Sequence, residues 1–327
     1  ALPILSLCVP LRWTGYTGVG FSRISVNPSL YIIYKLNYAW RFTVHASYKE
    51  RYGEMTDLYD RPYQTDYRNS VWNCGILPVY RQQLYSVYGE YKNTAREFFA
   101  TVNLTHNREW YNRIYEQRIE NGQVQRVSLP LSNHGSGYTV KSTLSKGFYD
   151  LGLKTSFLAL LNISKAEQIS GGQRLPYQYR LMRLEPKVIW TPNRHWETSY
   201  QTDIRYGGSK IGERTRLAPL WNVTQQVQLS YIFSPIEASL SVDHYHNDVN
   251  EDQSVNAVFA DFSVSWKSRR WQITATATNL FDKRTYGYTR YASLESYTSW
   301  VRIRPREFLV DRNSTRLNSS HGKLSRM

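Results

Sequence analysis

From Trp271 to Thr278, large or apolar side chains at Trp271, Ile273, Ala275 and Ala277 alternate with Gln272, Thr274, Thr276 and Thr278. The same two-residue period recurs upstream. Trp40, Phe42, Val44, Ala46 and Tyr48 oppose Arg41, Thr43, His45, Ser47 and Lys49, and Phe98, Ala100, Val102 and Leu104 oppose Phe99, Thr101, Asn103 and Thr105. Val258, Ala260, Phe262, Val264 and Trp266 oppose Phe259, Asp261, Ser263, Ser265 and Lys267. Period-two alternation rich in Thr, Val and aromatic residues predicts strands with two unlike faces. About thirteen such strands are expected, beginning near 21, 38, 79, 96, 136, 150, 178, 195, 220, 236, 256, 271 and 299.

The connections carry more information than the strands. Every second one is a short turn, at 35–39, 91–96, 145–150, 191–196, 233–237 and 267–270; the others are long, near 53–78, 107–135, 164–177, 206–219, 247–255 and 279–298. A soluble sandwich has no reason to sort its loops by parity. A membrane barrel has short turns at one rim and long loops at the other. Strands tilted in a bilayer need only about 9 to 11 residues to cross, and closure satisfies every backbone amide. The expected fold class is therefore all-β, a transmembrane antiparallel β-barrel with apolar residues outside and polar residues inside.

Composition agrees. The 327 residues include 27 Tyr and 10 Trp against 11 Phe, and Tyr and Trp suit a boundary between oil and water. No apolar run reaches the roughly 18 to 20 residues of a membrane-spanning helix. The net charge of +15 comes from Lys and Arg scattered along the chain, which suits a solvated surface or one facing anionic lipid better than a phosphate track; no nucleic acid is expected as a partner. Cys8 and Cys74 match no metal spacing.

The stretch Ala277–Tyr291, with Asn279, Leu280, Phe281, Asp282 and Lys283 followed by tyrosines, resembles the last outer loop of TonB-dependent receptors. Arg302–Val310 resembles the start of their final strand, and Asn27–Tyr48 is similar to a mid-barrel hairpin. The resemblance implies a 22-stranded barrel with a plug domain and a TonB-binding segment. It also implies TonB-energised import of a scarce, bulky nutrient (an iron chelate, cobalamin or glycan) across a Gram-negative outer membrane. About thirteen strands and no plug imply a C-terminal part of such a receptor, inactive by itself, with unpaired edges and without the TonB contact segment. Outer-membrane lipid and lipopolysaccharide are implied as surroundings, and the TonB complex as partner of the full-length receptor. Residues 1–20 are unassigned, 21–310 are expected to be barrel, and 311–327 resemble a translated sequencing adapter, mismatched at Asn313.

No acid/base pair, triad or phosphate loop marks an enzyme, and no cofactor is expected. His244 and His246 share one side of a strand near Asp248, a weak metal candidate lying on the apolar register. The candidates for ligand contact are Arg41, His45 and Lys49 on the polar register, Trp110, Tyr111, Arg113 and Tyr115 in one long loop, and Tyr286, Tyr288 and Tyr291 in the last. Two other readings fit the pattern: a small passive porin, and a soluble basic β-rich module binding nucleic acid or glycans.

Overall fold

The computed structural model describes residues 3–18, 20–120, 122–212, 215–216, 219–249, 252–292 and 295–314. Fourteen strands form one sheet in which each pairs antiparallel with its sequence neighbour. They are β1 (Ile4–Cys8), β2 (Ser29–Lys35), β3 (Trp40–Tyr52), β4 (Val79–Asn93), β5 (Phe98–Tyr111), β6 (Asn133–Phe148) and β7 (Leu153–Ser170). The sheet continues with β8 (Gln173–Asn193), β9 (Trp196–Ile211), β10 (Leu220–Phe233), β11 (Ile236–Asp248), β12 (Ser254–Lys267), β13 (Trp271–Thr278) and β14 (Glu307–Ser314). Among the described residues β1 and β14 do not pair with each other, so the meander has two free edges and closure into a ring is not observed. No helix among the described residues is long and apolar enough to cross a membrane.

All six expected short turns lie at one end of this sheet, and three use the same device. Asn37 Oδ1 accepts from the backbone N–H groups of Ala39 and Trp40 at 2.8 and 2.9 Å, Asn93 Oδ1 from Arg96 at 3.0 Å, and Asn193 Oδ1 from His195 and Trp196 at 2.9 and 3.1 Å. An Asn side chain thus substitutes for a backbone acceptor and closes each turn.

The other end differs from the sequence expectation in four places. The strand expected near 21 belongs to a separate hairpin, Leu11–Tyr16 with Phe21–Val26, and the sheet strand starts at Ser29. The strand expected near 299 likewise falls in a hairpin, Thr285–Ala292 with Glu295–Arg302, and the sheet resumes at Glu307. The expected loop 164–177 is a continuation of β7 and β8, turning at Gly171 and Gly172, whose φ values of 57° and 74° favour glycine. The expected loop 107–135 contains the end of β5 and a hairpin, Ile114–Glu120 with Gln123–Leu129. Of the tail expected at 311–327, Asp311–Ser314 pair with Trp271–Thr274; 315–327 lie outside the described residues.

The two faces of the sheet hold opposite chemistry. Direct cross-strand partners give an unbroken row Leu5–Ile32–Val44–Val87–Leu104–Val140–Leu161–Met182–Tyr206–Trp221. One residue along, the row reads His45–Ser86–Thr105–Thr139–Asn162. Ser86 donates to Asn103 at 2.7 Å, Asn162 to Thr139 at 2.9 Å, and Arg183 and Arg205 both donate to Asp203.

The apolar row covers nothing. Val44, Val87, Leu104 and Leu161 are each 42–48 % exposed, and so are Val102 and Phe262, while among the described residues the buried apolar ones are Ile114, Val127, Ile169, Leu220, Ala257 and Ala260. A compact protein of 38.4 kDa exposes about 14,000 Å², whereas this chain exposes 22762 Å². The hydrophobic surface is laid out in bands facing outward from the polar face, without a dry core.

A candidate ligand-contacting cavity on the polar face

Parity along β5 sends Asn107, Glu109 and Tyr111 to the polar face, together with Asn103 and Thr105. There the Glu109 carboxylate accepts from the Tyr111 hydroxyl at 2.9 Å, the Tyr80 hydroxyl at 3.2 Å, Gln82 at 3.1 Å and Asn107 at 3.0 Å. The Tyr80 and Tyr111 rings lie 4.9 Å apart. Four donors on one carboxylate make a rigid floor.

Above it sits the hairpin that follows β5. Arg113 Nη1 donates to Asp57 Oδ1 at 3.0 Å, tying this hairpin to the short 3-10 turn Met55–Leu58 of the preceding loop. The Tyr115 ring is flanked by the guanidinium carbons of Arg113 at 4.9 Å and Arg126 at 3.6 Å. The hairpin's second arm pairs parallel with Asn69–Trp72, and its first arm meets the end of β7 at Ile169 and Ser170. Glu116 fixes the latter contact, accepting from the Gly172 N–H at 3.1 Å and from Arg118 at 2.7 Å. Between floor and hairpin lies a cavity of about 770 Å³ lined by Glu109, Tyr111, Arg113, Tyr115, Gln117 and Arg126, among others. Its surface offers two guanidinium groups, the Lys165 ammonium, three phenols and the carboxylates of Asp66, Glu109 and Glu167, which suits a ring-bearing guest rich in hydrogen-bonding groups.

Of the loop residues expected to contact ligand, Tyr111, Arg113 and Tyr115 meet at this cavity. Trp110 has the opposite parity and joins the apolar register beside Arg81 and His134. Glu109 and Arg126 were missed. Glu109 shares the parity of Asn103 and was readable from register; Arg126 is brought in only by its pairing with Gln117 across the hairpin.

Arg41, His45 and Lys49 lie on the polar register of β3 but away from this cavity. Arg41 pairs with Glu90 and lies over the Tyr88 ring at 5.9 Å, His45 stacks on Tyr31 at 4.0 Å, and Lys49 stands opposite Gln82. A second cavity, about 570 Å³, opens at the root of the last hairpin and is lined by Asp243, Tyr245, Asp261, Asn279, Tyr286 and Arg304, among others. Tyr286 accepts from Asn247 at 2.7 Å and its ring is 6.0 Å from that of Tyr288. Tyr291 pairs with Ser296 across the hairpin, and its side chain lies outside the described residues.

The string Asn279–Lys283 builds that root. Asn279 takes φ 50° and is 7 % exposed. Its N–H donates to Asp261 Oδ1 at 2.7 Å, its amide donates to the carbonyls of Lys283 and Arg304 at 2.8 Å each, and its Oδ1 accepts from the Lys283 N–H at 3.0 Å. The Asn279 side chain therefore holds the two ends of the hairpin together, and its backbone N–H ties them to a neighbouring strand. Leu280 N–H donates to the Ala260 carbonyl at 2.9 Å, while Phe281 is 57 % exposed. Asp282 accepts from Arg284 at 3.0 Å and from the Arg306 N–H at 3.1 Å, and these donors hold its carboxyl below the usual carboxylate range.

His244 and His246 fall on the apolar register with Leu240 and Val242. His246 contacts Asn256 at 2.9 Å and Asp248 at 3.3 Å, and among the described residues no three metal-ligating side chains converge. Cys8 and Cys74 are free thiols.

No family model matches the sequence, and no curated protein matches it. Solved structures do. The FrpB iron transporter from Neisseria meningitidis (F3-3 variant) is similar at 9% identity and TM-score 0.49, over 81% of this chain and 44% of that one. P. aeruginosa FpvA bound to heterologous pyoverdines is similar at 10% identity and TM-score 0.46, over 89% and 44%. BauA, the ferric preacinetobactin receptor from Acinetobacter baumannii, is similar at 8% identity and TM-score 0.46, over 94% and 54%. The chain thus spans about half the length of these proteins.

Proposed function

We propose that these strands are the membrane-embedded wall of a TonB-dependent outer-membrane receptor that imports a scarce, bulky nutrient, an iron chelate first among the candidates. The observation that carries the reading is the pair of opposed rows: hydrocarbon contact on one parity, hydrogen-bonded polar groups on the other. On β9 and β10 the same parity is bracketed by two aromatic pairs, Trp196–Tyr231 and Tyr206–Trp221, each with rings 4.7 Å apart, with Tyr200, Ile204, Val223, Val227 and Leu229 between them alongside Thr198, Thr202 and Gln225. Ten residues separate Trp196 from Tyr206, which is roughly 33 Å along a strand, or about 23 Å along the normal at a 45° tilt. That matches the apolar band of about 25 Å flanked by aromatic girdles in outer-membrane barrels.

Two free edges in hydrocarbon leave backbone groups without partners, each costing several kcal/mol. The fourteen strands therefore work as part of a larger ring and do not transport as they stand. The arginine- and tyrosine-lined cavity at the long-loop end is the point of ligand capture. The test is uptake of radiolabelled ferric chelates by a receptor-deleted Gram-negative strain carrying the complete gene. Uptake that stops when TonB is deleted supports the proposal. Uptake indifferent to TonB and rising linearly with concentration replaces it with a passive porin.

A further inference from the structure

On β9, β10 and β11 the apolar register is interrupted by three polar residues in one row, Thr202, Gln225 and His244, each the direct cross-strand partner of the next. Tyr200, Ile204, Val223, Val227, Val242 and Val258 surround them on the same parity. Their depth follows from the short turns. Thr202 lies six residues past Trp196, Gln225 eight before Phe233 and His244 eight past Ile236, which is roughly 14 to 19 Å above the short-turn rim at a 45° tilt. Thr202 and Gln225 are each four residues short of the Tyr206–Trp221 pair, about 9 Å along the same normal. The row therefore lies inside the hydrocarbon band, where a polar group without a partner is strongly disfavoured.

Within the chain these groups go unmet. Thr202 is 4 % exposed and its hydroxyl has no hydrogen-bond partner among the described residues. Its carbonyl also loses its ladder donor. The register on either side, Leu184 with Ile204 and Lys187 with Gln201, sets Pro186 opposite Thr202. The Gly212 N–H donates to the Pro176 carbonyl at 2.7 Å further along the same pair of strands. Bonded pairs recur at every second position of an antiparallel ladder, so Pro186 and Thr202 form one of them, and proline has no N–H to give. Gln225 and His244 make no side-chain hydrogen bond among the described residues. By contrast His246, two residues nearer the long loops, is held by Asn256 and Asp248.

A carboxamide and a neutral imidazole each carry both a donor and an acceptor, so such a row can be completed by a like row. Rotation about the membrane normal leaves depth unchanged, and in a symmetric pair each group therefore meets groups at its own depth. A two-fold axis beside Gln225 brings two carboxamides together for reciprocal N–H···O bonds, with the surrounding aliphatic side chains packed about them. An unrelated protein would have to present matching donors and acceptors at that one depth; a second copy does so by symmetry.

We propose that the row Thr202–Gln225–His244 is the contact through which a second copy of this chain packs against the wall inside the bilayer. The proposal rests on the reading of the sheet as a membrane wall and adds a lateral partner to it. A benzophenone amino acid is placed at Gln225 or, as a control, at Leu104, which has the same parity, lies six residues past Phe98 and is five strands away, and outer membranes are irradiated. An adduct of twice the chain's mass forms from position 225 and not from position 104. In the protein purified in a non-ionic detergent, Gln225→Leu weakens self-association about tenfold for the two reciprocal hydrogen bonds lost, read by sedimentation equilibrium. Heat-modifiable migration on gels reports that the variant is folded, and Ser86→Ala, on the other face, leaves association unchanged. No adduct from position 225, equal adducts from both positions, an adduct carrying the mass of a different protein, or a folded Gln225→Leu variant that associates like the wild type would each overturn the proposal. Failure of the membrane reading is seen separately, as a chain that does not sediment with outer membranes.

Discussion

Thr139 and Val140 are neighbours in β6, yet one lies in a ladder of hydroxyl and amide groups and the other in a bare aliphatic row. The polar side is self-sufficient: Asn162 donates to Thr139, Ser86 to Asn103, and Asp203 receives two arginines. Among the described residues the aliphatic side has no partner. In a soluble sandwich those roles are reversed, because the apolar face meets a second sheet and the polar face meets solvent. The difference teaches that the missing partner of this sheet is a bulk phase, and that single substitutions should be judged by parity before chemistry.

Leu161→Arg is expected to produce the largest effect, about 2 to 4 kcal/mol of destabilisation for a cation at mid-bilayer, with Asn162→Lys next to it costing about 1 kcal/mol for the lost hydrogen bond to Thr139. Denaturant unfolding of the protein in lipid vesicles measures both, and equal losses at the two positions would erase the distinction between the faces. Asn279→Ala is next, at about 2 to 3 kcal/mol, because buried hydrogen bonds are lost and the left-handed backbone favours Asn over Ala; hydrogen exchange should rise at the amides of Lys283 and Arg306 while the sheet is unchanged. Asn193→Ala removes two turn hydrogen bonds at the opposite end and should cost about 1 kcal/mol, read as a shifted midpoint with unaltered ligand affinity. The smallest effect is a pH dependence at the loop root. Asp282 has a folded pKa below its unfolded one, so its contribution is present above about pH 4 and fades as pH falls through the lowered value; Asp282→Asn should flatten that dependence in exchange measurements on the hairpin.

Much of the sheet was legible because alternation and turn chemistry are local. The six short turns, and the strands beginning at Val79, Leu220, Ile236 and Trp271, follow from parity and from Asn, Pro and Gly at the breaks. The extension of β7 and β8 was not, because Leu158 and Leu160 share the polar register with Ser156 and Asn162 and blur the period. The strands expected near 21 and 299 fall in loop hairpins, because alternation is equally present there; only pairing partners tell a loop hairpin from a wall strand. The cavity was half legible. Tyr111, Arg113 and Tyr115 stood out by residue type, but Arg126 and the Asp57 tether depend on contacts between separate loops. The clamp at Asn279 joins residues 25 apart and leaves no periodic trace.

The overlong hairpin of β7 and β8 has a mechanical consequence. From Leu161 to Ser170 the ladder continues without a break, carrying its tip roughly 20 Å past the aliphatic row at a 45° tilt. A peptide tag grafted between Gly171 and Gly172 would stand on this stiff, fully bonded stalk, clear of headgroups and within reach of antibodies on intact cells, while the wall beneath went on holding its register.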